Sequence, residues 1–104
     1  MAIDSLQVLS PIGDDAAPPA QAARRIGTLN GKTVALLSND MFRADKVLAC
    51  VADQVLARFP DAKIIPWSEL PAVSAMGDVE TSVARVTAAL RERRPDAVVA
   101  STGA

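Results

Sequence analysis

Two short polar stretches carry most of the chemistry this chain can offer. "SND" at 38–40 and "STG" at 101–103 each follow an apolar run, "TVALL" and "DAVVA". Asn39 brings an amide that both donates and accepts. Ser38, Ser101 and Thr102 bring hydroxyls, Asp40 a carboxylate, and Gly103 a backbone that another group can approach closely. Such groups bind and orient a small polar molecule. They do not make a catalytic set. The 104 residues contain no histidine, so this chain by itself supplies no Ser–His or Cys–His pair and no imidazole-held metal. No nucleophile stands beside a base, and no carboxylates are paired at catalytic spacing. The sequence therefore assigns no catalytic residue and no metal ligand, and it indicates no cofactor. Ser-Asn-Asp after a strand is also ordinary turn and helix-capping chemistry, so a structural role for 38–40 stands beside the binding role.

Other reactive or conspicuous residues read as structural. Cys50 has no base or cation cluster beside it and is expected as a small core residue. Trp67 is expected as a lid over a sheet edge or a subunit contact. "RERR" at 91–94 reads as a solvated helix end. "LNGK" at 29–32 precedes its strand and lacks the glycine spacing of a phosphate loop.

The elements that must position the polar stretches follow from periodicity. "NGK" at 30–32 is a turn signal, and Val34 to Leu37 form an unbroken apolar run, the pattern of a strand covered on both faces in a parallel sheet. From Arg43 to Phe59 the period becomes helical. Val47, Val51, Val55 and Phe59 form a stripe that Leu48 and Leu56 widen, and Pro60 ends it. "AKIIPW" at 62–67 is a second strand, whose Pro66 belongs at a sheet edge. "SELPAVSAMG" reads as a loop. Asp78 caps a second helix with Val79, Val83, Val86 and Leu90 on one face, and its basic end suits the helix dipole. "DAVVAS" is a third strand. Two right-handed crossovers then give an α/β fold, a three-layer Rossmann-like unit with a short parallel sheet of order 2-1-3. In such a sheet ligands bind beyond the carboxyl ends of the strands at the switch point, which here lies between "SND" and "STGA". Backbone N–H groups at the start of the first helix add a place for an anion or carboxylate.

Residues 1 to about 28 read as an extended N-terminal arm, rich in Pro, Ala and charge without periodicity, although "VLS" at 8–10 has the makings of a short strand. Residues 29–104 make one α/β domain. Half of the chain is hydrophobic, but Ala and Val dominate, with two Phe, one Trp and no Tyr, so either marginal stability or burial against a partner is expected. Eleven basic and twelve acidic residues give a net charge of −1, with no basic run or aromatic pair suited to nucleic acid. No apolar run reaches membrane-spanning length, and the start of the chain has no secretory signal. A single cysteine fits a reducing, cytoplasmic setting.

Four segments in order carry a resemblance. "VLSPIG", then "LNGKTVALLSN", "RADKVL" and "PDAVVASTGA" resemble the UGSC family, named for a selenocysteine-or-cysteine, Gly, Ser, Cys motif. Val8, Leu9, Pro11 and Gly13 match the family's opening segment. Lys32, Thr33, Leu36, Leu37, Asn39, Ala44 and Asp45 match its first strand, although "DMFR" at 40–43 replaces the family's Gly-Lys-Pro-Asn. Asp96 to Val99 and Gly103 match its third strand, and the family's motif would follow directly after this chain. The resemblance implies a thiol- or selenol-dependent enzyme acting on a small molecule, with its reactive residue beyond position 104. A UGA codon read as a stop, cleavage of a precursor, or a separate subunit would each give that arrangement. A thiolate just after the third strand would sit at the positive end of a following helix, which lowers its pKa. The implied partner is thus a second protein chain or the missing C-terminal half. The alternative is a non-catalytic binding or regulatory subunit docking through its open sheet edge and arm. A receiver-type domain is disfavoured, because Ser101 or Thr102 stands where its phosphate-accepting Asp would be.

Overall fold

The computed structural model describes residues 5–14, 16–74 and 77–103. Gly31, at φ 73°, turns the chain into the first strand, its N–H donating to Asp61 O at 3.1 Å. That strand, β1 (Thr33–Ser38), is buried from Val34 onward. It is followed by α1 (Ala44–Arg58), β2 (Lys63–Ile65), a 3₁₀ turn (Trp67–Glu69), α2 (Val79–Arg93) and β3 (Ala97–Ser101). The sheet is parallel, in the order β2-β1-β3, with Val34 opposite Ile64 and Ser38 opposite Ser101. Pro66 directly follows β2, at the sheet edge where the missing N–H matters least.

Side chains alternate across β1 and build a core on each face. On one face Val34 and Leu36 pack with Leu48 of α1, joined by Val51, Ala52, Ile64, Ala97 and Val99. On the other, Ala35 and Leu37 pack with Ile65, Leu70 and Val86, joined by Ala89 and Leu90 of α2. The fold is three layers, with one helix on each side of the sheet.

The stripes differ from the sequence reading by a partial rotation. On α1 the fully buried residues are Ala44 and Leu48, while Val47 and Leu56 lie out in solvent. Cys50, expected in the core, is exposed, because it lies on the face opposite the Ala44–Leu48 contact. On α2 only Val86 is buried, with Leu90 beside it, and Val79 and Val83 are about half exposed. Trp67, in the 3₁₀ turn after edge strand β2, packs on the α1-side core together with Ile64. Asp78 caps α2 as expected, accepting from Glu80 N–H at 3.1 Å. The basic end of α2 is not wholly solvated: Arg93 pairs with Glu69 at 3.1 Å on the surface.

Residues 5–14 and 16–28 form neither helix nor strand, so Val8–Ser10 is not a strand. They run away from the domain and make the molecule 74 Å long against 36 and 25 Å in the other directions. The radius of gyration, 20.1 Å, exceeds the roughly 13 Å of a compact chain of this size.

Candidate functional site at the strand ends

Beyond the carboxyl ends of β1 and β3 lies a cleft of about 320 Å³. Leu37, Ser38 and Asn39 line it from the β1 side, and Ala100, Ser101 and Thr102 from the β3 side. The third wall comes from Val73, Ser74 and Val79. Parallel pairing of Ser38 with Ser101 brings the two polar stretches together, at the switch point of the sheet.

The third wall is tied to the sheet by backbone. Val73 N–H donates to Ser38 O at 2.9 Å. Ser82 of α2 holds the same segment at two points: its hydroxyl donates to Ala72 O at 3.1 Å and accepts from Ser74 N–H at 3.0 Å. Val73 and Ser74 were not legible as site residues, since 70–77 carries no periodic or motif signal, and Val79 read only as part of the apolar face of the second helix.

Asn39 works as a clamp between the two strand ends. Its Oδ1 accepts from Gly103 N–H at 3.0 Å and from Met41 N–H at 3.1 Å, and its Nδ2 donates to Gly103 O at 3.4 Å. It does not cap α1, whose N-cap is Arg43 with no side-chain bond. Gly103 is required by this approach. A Cβ there would lie 2.3 Å from Phe42 O and 2.8 Å from Met41 O. Ser38 Oγ accepts from Asp40 N–H at 3.0 Å and so holds the start of the same loop. Asp40 and Arg43 both have positive φ, 58° and 66°, the left-handed region that costs a non-glycine residue about 1–2 kcal/mol. Two such residues in one short loop at a strand end show a backbone shaped by its surroundings rather than by local preference.

Of the six residues singled out from sequence, Ser38, Asn39, Ser101 and Thr102 line the cleft. Gly103 is held against it by Asn39. Asp40 faces elsewhere, lining concavities to either side. The start of α1 is a mixed environment: Asp40 and Asp45 stand there with Arg43 and Lys46, so an incoming anion meets both signs of charge. Asp78, on the α2 side, has its carboxyl held below the usual range, first by the Thr81 hydroxyl and then by the N–H groups of Thr81 and Glu80.

Chemically the cleft is neutral. Its described lining offers hydroxyls, an amide largely engaged with backbone, and apolar carbon, and it includes no acid, base or thiol. Among the described residues no group of His, Cys, Asp and Glu is placed to hold a metal ion. Such a cleft can seat and orient a small molecule, but these side chains do not move a proton near neutral pH.

A parallel sheet of order β2-β1-β3 flanked by a helix on each face, with a cleft at its switch point, defines a small three-layer α/β domain. The chain belongs to the UGSC family, whose family model matches residues 7–104. No curated protein and no solved structure matches it. No helix among the described residues is long and apolar enough to cross a membrane.

Proposed function

We propose that this chain is the N-terminal portion or small subunit of a thiol- or selenol-dependent enzyme acting on a small molecule in a reducing cytoplasm. The observation that carries the reading is the neutral cleft. It sits where an α/β domain does its chemistry, it holds polar groups from two adjacent strand ends, and its described lining has no group able to react. The reactive residue comes from beyond position 104 or from a partner chain. Ser38, Ser101 and Thr102 orient the substrate beside it, and Asn39 fixes the spacing of the two strand ends.

The sheet supports the same reading. Among the described residues no strand pairs with the outer edge of β3, and Val98, on the α2 side of that strand, is 44% exposed. Parallel strands are normally covered on both faces. A strand added outside β3 through a right-handed crossover would carry its helix on the α2 side, over Val98 and beside Val79 and Val83. Val79, Val83 and Val98, each 44% to 50% exposed, are all on that side. The second reading, a non-catalytic subunit that docks through this edge, draws on the same observation and differs only in lacking the thiol.

Reading the gene past codon 104 tests both. A UGA followed by Gly-Ser-Cys codons is the expected result. The continued product, made with cysteine at that codon, should then carry a thiol that an alkylating reagent modifies below pH 7. An ordinary stop codon followed by unrelated sequence, with no thiol-bearing partner gene beside it, overturns the enzyme reading.

A further inference from the structure

The arm and one flank of α1 are two apolar surfaces that the domain leaves wholly or partly uncovered. In the arm, Leu6, Val8, Leu9 and Ile12 are between 79% and 100% exposed. Four large apolar side chains within seven residues are out of place in a segment that stays free in water, where low hydrophobicity is the rule. On α1, exposed Val47 and half-buried Val51, Val55 and Phe59 floor a shallow strip of about 850 Å³ along the flank of the helix beside the Leu48 core. Cys50 lies in the same strip.

The charges of the two surfaces are opposite. Asp4, Asp14 and Asp15 flank the apolar run of the arm, and no Lys or Arg occurs before Arg24. The strip is bordered by Arg43, Lys46 and Arg58, and no acid is among its described lining. Two of these cations are held in place at its ends, Arg43 over the Phe42 ring at 5.0 Å and Arg58 over the Phe59 ring at 5.9 Å. The arm leads away from its own domain along the 74 Å axis of the molecule.

We propose that two copies of this chain exchange arms, residues 5–14 of each docking on the α1 strip of the other to form a twofold homodimer. Exchange of an identical segment is a low-cost route to a dimer, because each copy uses the same pair of surfaces twice. Leu6, Val8, Leu9 and Ile12 then leave water together with the strip, and the acids that flank them meet the cations at its rim. This surface is distinct from the strand-end cleft, so the dimer forms whether or not a reactive residue is supplied there.

Cys50 provides the test, being the chain's one cysteine and lying in the strip. Sedimentation velocity on the full chain should show a concentration-dependent dimer. Leu9→Asp and Val47→Asp should each shift it to monomer by tenfold or more in dissociation constant while leaving the circular dichroism spectrum unchanged. Leu9→Cys should, under mild oxidation, give a disulfide-linked dimer that disappears when Cys50→Ser is added. A monomer at every concentration overturns the proposal. So does a dimer that survives both Asp substitutions, or a disulfide from the introduced thiol to Cys50 that closes within one chain. The cross-link needs no destabilising substitution, so a variant that misfolds does not decide the outcome.

Discussion

Asn39 joins residues 64 apart in sequence through one side chain, and its role is structural before it is chemical. Asn39→Ala removes two accepted backbone bonds at a half-buried position, and unfolding in urea should show a loss of about 1–2 kcal/mol. Gly103→Ala places a Cβ against Phe42 O and should break the same contact by pushing residue 103 off the loop. The two substitutions remove one interaction, so the double variant should be less destabilised than their sum by at least about 0.5 kcal/mol. Strict additivity would mean that Asn39 and Gly103 act separately. Asp78 gives a pH signature. Its folded pKa lies below the ordinary value, so its contribution is present above that value and is lost as pH falls through the folded one. The difference in Tm between wild type and Asp78→Ala should be constant from about pH 5 to 8 and shrink below about pH 4.

At the scale of elements, β1 was legible because Val34 to Leu37 is apolar on both faces, and the structure buries all four residues between α1 and α2. The sheet order followed from crossover handedness. The buried face of α1 was legible only in part: Leu48 and Val51 of the expected stripe pack on the core, whereas Val47 and Leu56 do not and Ala44 was missed. Ala44–Leu48–Ala52 and Val47–Val51–Val55 are adjacent stripes on one helix, and the second carries the larger apolar surface. Small Ala44, the first residue of α1, is 1% exposed. Leu48→Ala should therefore destabilise by about 2–5 kcal/mol, whereas Leu56→Ala, at a residue 40% exposed, should cost less than about 1 kcal/mol in the same thermal melt. The polar ends of β1 and β3 could be read from sequence, since strand order fixes which ends are neighbours. The 72–74 wall could not, because its ties, to Ser82 of α2 and to the Ser38 carbonyl, leave no pattern in the sequence.

For the molecule as a whole, Val98 is the exposed residue on which the proposed completing segment would dock. Val98→Lys should change the stability of this chain by no more than about 0.5 kcal/mol, since the residue already faces water. The same substitution should abolish association with a completing segment, read by co-purification of that segment with wild type and variant. Equal recovery would mean that the β3 edge is not where it docks. The order of synthesis adds a further consequence. β1 is the central strand, and its β3-side edge has no partner until a stretch that leaves the ribosome after α2 is available. A nascent chain holding β1, α1, β2 and α2 already has both helices, yet one edge of its most apolar strand is bare. In that interval it is exposed to pairing with another nascent chain, which β3 alone forestalls. Because the far strand end that Asn39 grips, Gly103, lies two residues beyond β3, the cleft closes last, once the edge that would have invited aggregation is already covered.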